Sequence, residues 1–327
     1  MTRYFETPQE RQISQLQTCI QAERHCRRAT ACIFTLTTAL RLLGVDWDPS
    51  DAVASMPRLH ADKLQIVVDH RNNKCRDRRA PARPGTTRLT PSAFFVSSIP
   101  TETMEVAEGI TCTTPEFTWF MFSRFLELED LVILGDATMR RKTLHETLTL
   151  DDFFELIVRI EHYAHRNGIR PPKGIDHCRK ALELMEEHTD SVMESALRLT
   201  LERHGLPRPA VNLPVQLPDG SLIYLDLAFP DAMVAVEYDG EHHRAQWEQD
   251  SLRRFRIEEA GWVYVQVVNI GFITDSDKRR VAELVASHIK ERTGYNYLLE
   301  TPIPLDRVPD KRRKVWQPRR PANVFTS

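Results

Sequence analysis

No run of about eighteen consecutive apolar residues occurs in this 327-residue chain, so a membrane-spanning helix is not expected. Charge of one sign is missing too: 44 Lys and Arg stand against 46 Asp and Glu, a formal net charge of −2. That balance gives no global pull toward nucleic acid or an anionic membrane, so any such binding has to come from local patches. The six cysteines, at 19, 26, 32, 75, 112 and 178, include no CxxC pair and no regular spacing, which excludes a disulfide framework and reads as reduced thiols. Cys19, Cys26 and Cys32 lie close together but lack the spacing of a zinc site, and helix packing is their expected role. Residues 1–11 are polar and charged rather than a signal peptide, so a cytoplasmic location is expected. No internal repeat is apparent. The length suggests two domains.

Two local concentrations of positive charge are present. One is Lys74, Arg76, Arg78, Arg79, Arg83 and Arg88 in a Pro-containing segment; the other is Arg307, Lys311, Arg312, Arg313, Lys314, Arg319 and Arg320 near the end. Each could neutralise phosphates and make binding depend on salt, or could be a solvated loop. Trp316 interrupts the second with a ring able to stack on a base.

The chemistry concentrates between residues 222 and 243. Residues 222–229 and 233–238 read as strands, rich in β-branched and aromatic side chains, and Pro230-Asp231 between them signals a turn. With the turn centred between Asp231 and Ala232, Asp226 falls opposite Glu237 on one face of an antiparallel pair. Alternation adds Asp239 and Glu241 to that face and turns Val236 and Tyr238 away. Carboxylates placed where a sheet interior would carry aliphatic residues need compensation, and their oxygens suit Mg²⁺ or Mn²⁺ better than Zn²⁺. The alternative is a solvated strand end with scattered acids.

These residues resemble the metal motif of the PD-(D/E)XK nuclease superfamily, and within it the branch of the very short patch repair endonuclease. The resemblance runs over residues 191–268. Its landmarks are Glu194 in Met193-Glu194-Ser195-Ala196-Leu197-Arg198, Gly205-Leu206-Pro207, Asp226, Glu237-Tyr238-Asp239-Gly240, His242-His243, Asp250 with Arg253-Arg254, and Gly261-Trp262. It implies a restriction-endonuclease-like α/β fold, a mixed sheet flanked by helices. It also implies that Asp226, Glu237 and the Tyr238 carbonyl hold the metal, with Glu194 completing the outer shell. The lysine that ends the superfamily motif is absent, and Asp239 stands in its place. In the patch repair branch histidines assist instead, which makes His242 and His243 the natural substitutes, since imidazole exchanges protons near neutral pH. Adjacent histidines at a strand-to-helix junction can also be plain polar surface. Glu194 could simply pair with Arg198 four residues on. Asp250, Arg253 and Arg254 follow on one helix, either to orient a histidine and contact phosphate or as its solvated face.

Upstream, residues 8–43 read as mostly helical, ending at Gly44 as a C-cap. Leu64–Val68, residues 94–96 and residues 110–111 read as strands, and residues 72–91 as a loop. Thr114-Pro115-Glu116 opens a helix to about Leu126, the pattern continues through 131–140, and another helix covers 150–165. Asp136 is expected to have a hydrogen-bonding role rather than a chemical one. Thr38-Ala39-Leu40-Arg41-Leu42-Leu43-Gly44, Thr113-Thr114-Pro115 and Leu134-Gly135-Asp136-Ala137 faintly resemble a region related to AbiEi-type antitoxins, which would imply a DNA-binding regulator or defence component. No helix-turn-helix precedes Gly44. The expected organisation is an α+β amino-terminal domain over 1–170, a Pro-containing link, a nuclease-like domain over 175–300 with a helix at 175–187, and a basic tail over 301–327. The leading expectation is a metal-dependent endonuclease acting on DNA, with RNA left open and any protein partner met through the amino-terminal domain. The alternative is an inactive nuclease fold that binds DNA as a regulator.

Overall fold

The computed structural model describes residues 7–25, 32–47, 59–60, 62–73, 90–140, 148–217, 219–239 and 247–309. The fold is mixed α/β, with two mixed sheets flanked by helices, and the chain divides into two compact units, Met1–Met185 and Glu186–Ser327. Among the described residues, no helix is long and apolar enough to cross a membrane.

In the first unit, helices α1 (Pro8–His25) and α2 (Leu36–Leu42) accompany a five-stranded sheet of β1 (Ile33–Phe34), β2 (Leu64–Val68), β3 (Ser92–Val96), β4 (Thr103–Ala107) and β5 (Ile110–Thr113). Its order is β3-β2-β1-β5-β4, parallel for β2/β3 and β1/β5 and antiparallel elsewhere. The helical reading of residues 8–43 thus needs correction: two residues in its middle form the central strand, hydrogen-bonded on both sides, which outweighs helix propensity. Thr114 caps α3 (Pro115–Phe122) through the Phe117 N–H, and this helix stops four residues before Leu126. Helices α4 (Leu128–Thr138), α5 (Leu150–Arg166) and α6 (Ile175–Leu182) complete the unit. Cys178 and Ala181 of α6 are fully buried, and α6 packs on α4, so the segment expected to open the second domain belongs to the first unit. Asp136 is buried within α4. Cys19, Cys32, Cys112 and Cys178 are buried, and burial pushes the thiols of Cys19, Cys112 and Cys178 up to about 12, which leaves those three unreactive.

The second unit begins with helix α7 (Val192–Arg203) and holds strands β6 (Ala210–Gln216), β7 (Leu222–Phe229), β8 (Val234–Asp239) and β9 (Val263–Val268) in that order across one sheet. Pairs β6/β7 and β7/β8 are antiparallel; β8 and β9 are parallel, joined through α8 (Trp247–Glu259). Helix α9 (Asp275–Thr293) follows. Alternation along β8 sends Val234 and Val236 to one face, where they meet Leu197 and Leu201 of α7 and Ala282, Val285 and Ile289 of α9. Ala235 points the other way, with Ala228, Trp262 and Ile257 of α8. The sheet is therefore a middle layer, and each apolar face is covered by helix.

Two turns fix this arrangement. Residues Pro230–Ala232 form a 3-10 turn and Met233 takes a left-handed φ of 51°, which returns the chain into β8. Gly205 ends α7 with φ +95°, and a Cβ there would lie 2.6 Å from both Leu299 Cγ and the Tyr297 carbonyl oxygen. Those residues belong to a strip that runs back along α7, with Leu299 N–H donating to His204 O and Ile303 N–H to Arg203 O, both 2.9 Å. The start of the expected basic tail is thus tied to the unit. Lys311, Arg312, Arg313, Lys314 and Trp316 lie outside the described residues, as does the patch from Lys74 to Arg88.

Candidate functional site

The site is built where two paired strands part. Backbone pairing between β7 and β8 comprises Leu227↔Val236, Ala228↔Ala235 and Phe229↔Val234. On the other side of this point, β7 from Leu222 to Leu225 pairs with β6, and β8 from Glu237 to Asp239 pairs with β9. One step past the last shared pair, the register sets Asp226 against Glu237, as the turn position predicts. The two acids stand at the mouth of a fork.

Packing records the same departure from regularity. Leu225 sits with Ala228, Ala235 and Ile257, whereas Leu227 sits in the cluster on the opposite face. Residues two apart on a regular strand share a face, so β7 is rotated around Asp226. Across from it in β6, Asn212 takes a left-handed φ of 47°, and its Nδ2 donates to the His188 carbonyl at 2.6 Å.

Each acid is held in its own way. Asp226 Oδ2 accepts the backbone N–H of Tyr238 at 3.2 Å, a side chain standing in for the ladder. Glu237 is buried, and Arg253 of α8 grips both its oxygens, Nε to Oε2 at 3.1 Å and Nη2 to Oε1 at 2.7 Å. The same Nη2 donates to the Tyr224 carbonyl of β7 at 2.5 Å, so one guanidinium spans both arms of the fork. Tyr264 of β9 lies beside Glu237; burial, then the Glu237 charge, hold that phenol above its ordinary range. Glu194, also buried, works as a helix cap: its N–H donates to Ser191 Oγ at 3.1 Å, and its Oε2 accepts the Asp190 N–H at 3.0 Å. The N-cap residue is Ser191. Arg198 takes Glu202 as its i,i+4 partner at 2.8 Å, fully buried, and Glu202 also meets Arg208.

These placements produce an excess of negative charge. Burial, followed by repulsion from Glu194 and Glu237, pushes the Asp226 carboxyl up to about 8, against the opposing pull of the Tyr238 N–H and of Arg253. Arg253 loses charge stabilisation through burial but gains more from its bonds to Glu237, and its pKa rises.

Other expected residues stand around the fork. Asp239 accepts from Gln266 Nε2 at 2.5 Å on the neighbouring strand, and the Tyr238 ring lies edge-on to Phe272. Arg254 lies over the Tyr264 ring at 5.5 Å and bonds Glu258 at 2.9 Å. His242, His243 and Glu241 lie outside the described residues, and so does the side chain of Asp250. Tyr224 and Tyr264 were not singled out in the sequence. Alternation along Val263-Tyr264-Val265 separates Tyr264 from its core neighbours, but only the parallel pairing Ala235↔Tyr264 brings it beside Glu237.

Among the described residues, no group of three or more His, Cys, Asp or Glu side chains is arranged to hold a metal ion. Two carboxylates at the fork are nevertheless a fitting start for Mg²⁺ or Mn²⁺, because such ions are commonly bound through one or two carboxylates and keep several waters. A nearby cation would favour the ionised form of Asp226.

The chain is 32% identical over 126 residues to two uncharacterized proteins from two strains of Mycobacterium tuberculosis. The match takes in 37% of this chain and 45% of either relative, so the chain spans less than half the length of the curated relatives it matches. No family model and no solved structure matches the chain.

Proposed function

We propose that the second unit is a restriction-endonuclease-like domain that hydrolyses nucleic-acid phosphodiesters with a divalent cation, DNA being the leading substrate. The observation that supports this is the fork: Asp226 and Glu237 meet where β7 and β8 separate, with Glu194 close enough to disturb Asp226. Asp226, Glu237 and the Tyr238 carbonyl would hold the ion, Mg²⁺ or Mn²⁺. Bound there, it would lower the pKa of a water and offset charge on the phosphate. Glu237 is oriented by Arg253, and Asp226 by the Tyr238 N–H, so both acids are held in place before any ligand arrives. Arg253 and Arg254 lie on the helix beside the acids and suit an anionic backbone. His242 and His243 are the candidates for moving a proton. The cytoplasm is the proposed location.

A second reading is a nuclease fold without turnover that binds DNA as a regulator. The Arg253 grip on Glu237 and the aspartate in place of the motif lysine favour it. Purified protein incubated with supercoiled plasmid in Mg²⁺, Mn²⁺ or EDTA separates the two. Nicking that needs metal and disappears in Asp226→Ala and Glu237→Ala supports the nuclease; DNA binding without nicking in any metal supports the regulator.

A further inference from the structure

Glu237 already holds a cation. Arg253 donates to both carboxylate oxygens, at 3.1 and 2.7 Å, and to the Tyr224 carbonyl across the fork, so both oxygens that would hold a metal are already engaged. An ion bound by Glu237 would meet that guanidinium as a like charge at short range. Sharing the carboxylate would hold two cations side by side, which like-charge repulsion opposes.

We propose that Arg253 is a resident counter-cation which the incoming metal displaces from Glu237, so that metal binding frees the guanidinium for an anionic substrate. This rests on the metal-dependent reading above. The structure supplies the parts. With its side chain 36% exposed, Arg253 has a path outward, and the Tyr224 carbonyl gives it a pivot on β7 once Glu237 is lost. Arg253 then acts twice: it prevents an unpaired buried carboxylate in the metal-free protein, and it presents a fork of N–H donors to phosphate in the loaded one.

Mn²⁺ titration calorimetry on the full chain and on Arg253→Gln tests the competition. Removing one cation from a shared carboxylate is expected to tighten Mn²⁺ binding by roughly 5- to 150-fold. Because Arg253→Gln exposes a buried charge and could fold poorly, the unaltered protein gives a second readout. Its Arg253 Nε–H resonance, assigned by comparison with Arg253→Lys in ¹⁵N-arginine-labelled protein, is expected to exchange slowly in EDTA and to shift and exchange fast with Mg²⁺. Equal Mn²⁺ affinity in both proteins, or binding of Mg²⁺ with the resonance unmoved, overturns the displacement and leaves the metal site standing. No binding in either protein removes both.

Discussion

The Tyr238 N–H donates to Asp226 Oδ2 at 3.2 Å, and the backbone pairing of their strands ends at Leu227↔Val236. A side-chain acceptor thus takes the place of the ladder where the β7/β8 pairing ends. The stability of the metal-free protein should carry the mark of that choice.

Asp226 has a folded pKa raised from 3.8 to about 8, so the folded state binds more protons than the unfolded chain between those values. Stability therefore falls as pH rises through this window, the full penalty being present above about 8. Each pKa unit corresponds to about 1.4 kcal/mol, so the penalty is on the order of several kcal/mol. Asp226→Asn removes the titration. Urea unfolding in EDTA should show the variant gaining on the unaltered protein from pH 5 to 9; parallel stability curves would contradict the assignment.

Glu194 both caps α7 and raises Asp226, and the two roles can be separated. Glu194→Gln keeps an acceptor for the Asp190 N–H but removes the charge. The Asp226 titration midpoint, followed by carboxyl ¹³C resonances, should fall, while thermal stability changes by less than about 1 kcal/mol. An unchanged midpoint would show that the charge of Glu194 does not reach Asp226.

How much of this was readable from the residues depends on what local pattern encodes. The turn at Pro230-Asp231 gave the β7/β8 register because a short connection fixes which residues face each other. The fork itself was hidden, since it arises from pairing that stops, and the rotation of β7 involves Asn212 on another strand. Tyr264 was hidden for a similar reason: its place beside Glu237 depends on a parallel pairing made across α8, a long-range contact without local signature. In the first unit, Ile33–Phe34 is too short to show period-two alternation. Thr103–Ala107 was missed because its edge position leaves polar residues exposed among few apolar ones.

The carboxyl end of α7 depends on a glycine. Gly205→Ala places a side chain at φ +95° and drives its Cβ into Leu299 and the Tyr297 carbonyl. The left-handed conformation alone costs about 1–2 kcal/mol, and the contact adds to it. A fall in melting temperature with loss of the 297–303 strip from protease protection is expected; an unchanged melting temperature would contradict the packing described.

Arg198 and Glu202 form a buried ion pair away from the fork. Glu202→Ala should destabilise by about 3–5 kcal/mol because the buried Arg198 guanidinium loses its partner at 2.8 Å. Replacing both with Met and Leu should recover most of the loss. If the double replacement is as unstable as the single one, the pair has a role beyond mutual compensation.

The central claim is that Asp226 and Glu237 together grip a divalent cation, and Mn²⁺ titration calorimetry on the unaltered protein and on Asp226→Asn asks this without requiring turnover. One saturable site is expected in the unaltered protein and none in the variant, with both proteins folded by circular dichroism. Identical Mn²⁺ binding in the two, or no binding in the unaltered protein, would contradict it.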